Sequence, residues 1–311
     1  MQQHAIHSTE YNRETHSASK NAAREKRGII FSDIDGTFVN AEYRCPFSTE
    51  FLQEVFTRYD VIFTSSRTIE EILLLQQTLL YRAPFIAENG GVIVFYDESR
   101  AKTSSGHSIT LLGESVYIVP LGFHALDILP FVKSASATSG VYAENIAKMP
   151  LETIAELSQY SAHDAYYAQK RRYSLALSTI GQEQHNLQKL SAALERLECS
   201  VSSGGKWLNV TRGSDKGLAV HWYRGFLRFH GISYNIVAGI GNESNDAAML
   251  NAVDMPFVIR NPTGYAEALE NLPGGYFLQS EGVMGWIEMI NYLDSSFSPD
   301  YHLTNTHLPT I

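Results

Sequence analysis

Asp33-Ile34-Asp35-Gly36-Thr37 places two carboxylates at positions i and i+2, directly behind the apolar run Gly28-Ile29-Ile30-Phe31-Ser32. A carboxylate can attack phosphorus and carry an aspartyl-phosphate. A second carboxylate beside it can protonate a leaving oxygen and afterwards deprotonate water. Two such groups next to a phosphate repel each other and the substrate, so the chemistry calls for a hard dication. One Asp-Gly after a strand would read only as a turn. The whole five-residue string behind a buried strand reads as a reaction centre.

The elements that must position these carboxylates can be followed along the chain. Residues 28–32 and 61–64 are short apolar runs that suit buried parallel strands. Phe51, Leu52, Val55 and Phe56 have helical spacing between them, and Ile69, Ile72, Leu73 and Leu79 mark a second helix. Residues 85–87 and 92–95 are further strand candidates, giving the β-α-β-α-β order of a doubly wound sheet. From about residue 96 the rhythm changes. The spacing predicts a strand over 115–120, a helix over 125–133, short helices over 151–158 and 162–172, and a strand over 173–179. An amphipathic helix through Leu187, Leu190 and Leu194 and a strand over 206–211 follow. The α/β rhythm returns with a helix over 216–230, a strand over 234–238, a helix starting at 245–250, a strand over 256–259 and a helix over 283–293. The expected fold is a Rossmann-like, doubly wound parallel sheet core over 27–95 and 212–294, split by an α+β domain over 96–211. Tails of 1–26 and 295–311 flank it. In open α/β sheets ligands bind at the carboxyl ends of the strands, where Asp33 and Asp35 sit. Hinge motion is expected where the two domains face each other.

The Asp33-to-Thr37 string resembles the first motif of the haloacid dehalogenase (HAD) superfamily of phosphohydrolases. Thr64-Ser65-Ser66-Arg67 resembles the second motif, Ser214-Asp215-Lys216-Gly217 the third and Gly241-Asn242-Glu243-Ser244-Asn245-Asp246 the fourth. The resemblance implies Asp33 as nucleophile and Asp35 as general acid and base. It implies phosphate contacts from Ser65 with Ser66 beside it, Lys216 and Asn245. Mg²⁺ is the implied cofactor, on Asp33, Asp35 and the first fourth-motif position, with Asp246 as a further candidate. The residue types agree: a hydroxyl at a strand end can donate to a phosphoryl oxygen, and Lys216 opens a helix whose free N–H groups favour the same anion. The fourth motif departs from the family pattern, because Asn242 stands where an aspartate binds the metal. An amide oxygen still suits a hard cation but brings no charge. Weaker Mg²⁺ binding is expected, with Glu243 or Asp246 able to compensate.

The inserted block resembles the C2-type cap of sugar-phosphate phosphatases, with Glu88-Asn89-Gly90-Gly91 leading into it. The segments 149–157 and 168–174, Gly204-Gly205-Lys206-Trp207 and Gly282-Val283-Met284-Gly285-Trp286 resemble mannosyl-3-phosphoglycerate phosphatases more narrowly. That family usually has an arginine where Lys206 stands and an acidic residue near Arg171. Lys170, Arg171, Arg172 and Lys206 are the cap candidates for an anionic substrate, since a guanidinium can bind a carboxylate through two parallel hydrogen bonds. The alternative for the Lys-Arg-Arg run is an exposed helix end beside its own dipole.

Composition limits the partners. Of 311 residues, 44% are hydrophobic and 18% charged, with 24 Lys+Arg against 33 Asp+Glu and a net charge of −9. That balance argues against a partner held by phosphate neutralisation along nucleic acid. No apolar run reaches the roughly 20 residues that span a bilayer. Cys45 and Cys199 can form neither a disulfide framework nor a four-thiolate zinc site, and read as free thiols of a reducing compartment. The expectation is a cytoplasmic, monomeric or homodimeric phosphomonoesterase acting on a glycosyl-3-phosphoglycerate or related sugar phosphate. A phosphohexomutase of the same cap class and a catalytically weakened sugar-phosphate sensor are the alternatives.

Overall fold

The computed structural model describes residues 26–98, 105–204 and 207–297. Most of both expected tails therefore lies outside the described residues. The chain runs β1 (Gly28–Ser32), α1 (Thr49–Arg58), β2 (Tyr59–Phe63), α2 (Ile69–Thr78), β3 (Phe85–Ala87) and β4 (Val92–Phe95). There follow β5 (His107–Leu111), β6 (Glu114–Pro120), α3 (Ala125–Ser139), α4 (Leu151–Ser158), α5 (Ala162–Ala168) and β7 (Leu175–Ser178). Then come α6 (Gln184–Glu195), β8 (Cys199–Gly204), β9 (Trp207–Arg212), α7 (Lys216–Phe229) and β10 (Ile236–Gly241). The last elements are α8 (Ala247–Asn251), β11 (Met255–Arg260), β12 (Tyr276–Glu281) and α9 (Gly282–Phe297). Among the described residues no helix is long and apolar enough to cross a membrane.

A parallel sheet of order β12-β11-β10-β1-β2 forms the centre. β1 is buried at every position and pairs with both β2 and β10. A strand covered on both faces must be apolar throughout, which is how Gly28 to Ser32 reads. β3 joins the edge at β2 through a parallel bridge between Thr64 and Ile86. Beyond this parallel core, β4 turns back and runs antiparallel to β3. Only Glu88 to Gly91 separate the two strands, whereas a parallel return needs about a dozen residues or more.

β6 pairs with β4 and β5 with β6, both antiparallel. Their side chains continue the two layers of the main core: Ile30, Phe63, Val94 and Ile118 share one, and Phe31, Ile62, Ile93 and Tyr117 the other. Strand pairing thus divides the block expected over 96–211. Residues 107–120 belong to a four-stranded sheet of order β3-β4-β6-β5, which meets the parallel sheet at the Thr64–Ile86 bridge, and α3 to β9 build the second unit. That unit is an antiparallel sheet of order β7-β9-β8. Leu175, Leu177, Leu208 and Val210 pack on one side with Ile128 of α3 and Leu190 of α6. Ala176 faces the other side with Ile154 and Ala165 of α4 and α5. The two crossings between the units run side by side, with Phe123 N–H donating to the Arg212 carbonyl at 2.9 Å.

Three boundaries differ from the sequence reading. α3 runs through Pro130 to Ser139 and ends on Gly140 in the left-handed region. The helix expected over 162–172 stops at Ala168. Gln169 turns its side chain to the Ile146 and Met149 carbonyls, and Arg172 and Tyr173 give their backbone N–H groups to Glu88. α9 continues to Phe297, past the expected start of the C-terminal tail.

Candidate active site

β1, β2 and β10 end together. Thr64 N–H donates to the Ser32 carbonyl at 2.8 Å and Asp33 N–H to the Ile240 carbonyl at 3.0 Å. Asp33 therefore leaves the sheet at its centre, between the second and fourth motifs. Asp215 caps α7 by accepting from Leu218 N–H at 2.7 Å, which sets Lys216 as the first helical residue. The Lys216 ammonium lies 2.7 Å from Asp33 Oδ1 and 2.6 Å from Asp246 Oδ1, with almost no exposure. Burial and then the nearby Asp246 push the Asp33 carboxyl up to about 7, although Lys216 pulls the other way. Burial alone would lower the Lys216 ammonium, but the Asp246 and Asp33 carboxylates outweigh it and hold the charge on.

Asp35 follows on the same turn. Arg67 grips its carboxylate with Nε at 3.2 and 3.1 Å from the two oxygens and one Nη at 2.5 Å. Ser65 is fully buried, its hydroxyl accepting from Arg67 N–H, while Ser66 reaches the surface of the cleft. Asn242 is buried, and Asp246 Oδ2 accepts from the Asn242 and Glu243 N–H groups at 3.0 Å each. Asn245 donates to the side chain of Asn89 at 3.1 Å.

The two units enclose a cleft of about 420 Å³. Asp33, Asp35, Ser66, Asn242 and Asn245 line its floor, and Arg171, Trp207 and Asn209 come from the second unit. Arg171 donates to the Ser66 carbonyl and the Ser174 hydroxyl at 3.0 Å, and its buried Nε has no partner. Lys170 and Arg172 do not line the cleft. Arg172 forms a two-pronged pair with Glu70 of α2 at 2.8 and 2.7 Å. Lys170 holds its ammonium 4.1 Å above the Tyr166 ring. Lys206 lies outside the described residues. A larger hollow of about 790 Å³ adjoins the cleft and shares Tyr43, Arg67, Glu71 and Tyr160 with it.

The sequence model of the haloacid dehalogenase-like hydrolases matches residues 30–269. The chain belongs to this family. Within it, the chain is similar to a glucosyl-3-phosphoglycerate/mannosyl-3-phosphoglycerate phosphatase of Persephonella marina, 27% identical over 84% of this chain and 95% of the relative. A phosphatase of the same name from Methanococcoides burtonii is 22% identical over 83% of this chain and 94% of its own length. The fold resembles that of a HAD phosphatase from Bacteroides thetaiotaomicron, with a TM-score of 0.59 at 14% identity over 90% of this chain and 99% of that one.

The family implies a bound Mg²⁺, and the donors at the site decide whether it can be held there. Among the described residues no three His, Cys, Asp or Glu side chains are grouped to hold an ion. Asp35 is engaged by Arg67, and Asp246 has both oxygens taken, Oδ1 by Lys216 and Oδ2 by the Asn242 and Glu243 N–H groups, whereas Lys216 takes only Oδ1 of Asp33. What remains is oxygen from the Asp33 carboxylate, the Asp35 carbonyl and the Asn242 amide. That set fits Mg²⁺, which binds through one or two carboxylates plus waters and substrate phosphate rather than in an all-protein cage.

Sequence reasoning assigned no role to two charged groups at the site. Arg67 stands inside the second motif, where its partner on another strand end could not be read. Glu88 is fully buried and accepts from Arg172 N–H, Tyr173 N–H and the Ser174 hydroxyl at 2.8–3.0 Å. It ties the second unit to the first directly beneath Arg171.

Proposed function

We propose that this HAD-family chain is a Mg²⁺-dependent phosphomonoesterase acting on a glycosyl-3-phosphoglycerate, mannosyl or glucosyl, or a related sugar phosphate. The observation that carries the reading is Asp33 on the floor of a cleft whose wall holds Arg171, its carboxylate paired with the buried Lys216 that also holds Asp246. Asp33 attacks phosphorus, and the bond to the leaving alcohol breaks as Asp35 gives that oxygen a proton. Asp35 then takes a proton from water, which attacks the aspartyl-phosphate, frees phosphate and restores Asp33. Lys216 offsets charge on the transferred group, and Ser65, Ser66 and Asn245 position it; positioning and electrostatics dominate such transfers. Bound Mg²⁺ would supply charge neutralisation at the same oxygens, held by Asp33, the Asp35 carbonyl and Asn242.

Arg67 keeps Asp35 ordered before substrate arrives. Arg171 lines the cleft and brings to it a guanidinium charge suited to the carboxylate of a phosphoglycerate. The names of the two phosphoglycerate-ester phosphatases similar to this chain support that choice. The test is phosphate release from glycosyl-phosphoglycerates and plain sugar phosphates, with and without Mg²⁺, using Asp33→Asn as the blank. Release that needs both Asp33 and the metal is expected. Isomerised sugar phosphate without free phosphate would point to a mutase instead.

A further inference from the structure

The orientation of Asn242 is set by Asn261, a residue just past β11 and outside every motif considered so far. A backbone carbonyl can only accept a hydrogen bond. The group 2.8 Å from the Asn242 carbonyl must therefore be the Asn261 amide nitrogen. The Asn261 amide oxygen then faces the Asn242 side chain, 3.1 Å from its nitrogen. Only one arrangement is left for Asn242, with its nitrogen toward Asn261 and its oxygen toward the Thr37 hydroxyl, which donates at 3.2 Å. Thr37 is buried and closes the turn that carries Asp33 and Asp35. Gly36 on that turn, at φ +72°, comes so close that a Cβ would lie 2.6 Å from the Asn242 amide nitrogen.

We propose that Asn261 is a positioning residue that locks Asn242 with its amide oxygen, the cation-binding end, on the Thr37 hydroxyl and its nitrogen on Asn261. The inference rests on the metal-dependent reading above and deepens it. A carboxylate at 242 would need no lock, because both of its ends are oxygen. An amide turned the other way would put its oxygen against the Asn261 oxygen and take the cation-binding end off the Thr37 hydroxyl. The same network makes Asn242→Asp an incomplete gain. The new carboxylate would face the Asn261 oxygen, and Asn261 cannot flip without turning that oxygen onto the 242 carbonyl.

The test is a double-mutant cycle on the full chain, with Mg²⁺ alone titrated by isothermal calorimetry. Asn261→Ala is expected to weaken Mg²⁺ binding about 10–100-fold, the usual cost of losing an outer partner of a metal ligand. In the Asn242→Asp background the same change should cost under about twofold, since orientation no longer matters there. Equal losses in both backgrounds, or none in either, would overturn the inference while leaving the phosphatase reading intact. Absence of Mg²⁺ binding by the unaltered chain would overturn both. Side-chain amide NMR of the unaltered protein gives a readout that needs no variant to fold. Slow exchange of one Asn242 and one Asn261 amide proton is expected, and free exchange of both would contradict the lock.

Discussion

Lys216 has two buried carboxylate partners, and its ammonium is the cation that both Asp33 and Asp246 touch. Lys216→Met leaves both carboxylates buried without it, and breaking a buried pair from one side costs about 3–5 kcal/mol. Urea unfolding of this variant should show a loss of that size together with lost phosphate release. Asp33 gives a pH signature of its own. Its carboxyl is raised from the ordinary 3.8 to about 7, so the folded chain binds this proton more tightly than the unfolded chain does. In the metal-free protein this contribution favours folding below about pH 4 and is lost as pH rises toward 7. Asp33→Asn should flatten that stretch of the stability–pH curve, and urea midpoints at pH 5 and pH 8 would check it. Mg²⁺ offsets the same repulsion, so the acid limb of activity should move to lower pH as Mg²⁺ increases. The residues at this scale were legible in sequence wherever one motif contained them. Asp33, Asp35 and Lys216 stand out by type and setting. The partnership of Arg67 with Asp35 and of Asn261 with Asn242 joins different strand ends, which no local pattern records.

Element ends carry the site, and small residues decide how closely those ends meet. Gly90 has φ +88°, and a Cβ there would sit 2.0 Å from the Asp215 carbonyl, just before Lys216. Gly90→Ala should destabilise the chain by at least about 1–3 kcal/mol from backbone strain alone. Because it pushes α7 away from β1, phosphate release should fall as well, and a thermal melt paired with an activity assay tests both. Glu88 acts at the same junction from the other side. Glu88→Ala leaves two buried N–H groups of the second unit without partners, at about 1–3 kcal/mol each when unsatisfied. Faster proteolysis near 172–174 is the expected sign. The strongly apolar strands β1, β2 and β11 were readable because burial on both faces forces an unbroken apolar run. β5, β8 and β12 were not, since Ser, Thr, Gly and His on partly exposed strands resemble loop composition. The direction of β4 could be found only from the length of its connection.

At the scale of the whole molecule, the chain is a two-layered sheet core with a second sheet unit placed over the strand ends, and the cleft exists only because both are present. The 107–120 hairpin, inside the block that the sequence rhythm sets apart, pairs with β4 in the β3-β4-β6-β5 sheet and not with the β7-β9-β8 sheet. Arg171 is the one cap cation that reaches the cleft among the described residues. Arg171→Met should raise KM for a glycosyl-phosphoglycerate about tenfold or more, given about 1.5–3 kcal/mol for a charged hydrogen bond. KM for a sugar phosphate without the carboxylate should change far less. All of this depends on Asp33 bonding covalently to phosphorus, and mass spectrometry of the unaltered chain, acid-quenched during turnover, tests that most directly. One added phosphoryl group on the peptide containing Asp33 is expected. A phosphoryl group on another residue, or turnover by Asp33→Asn, would rule out Asp33 as the nucleophile.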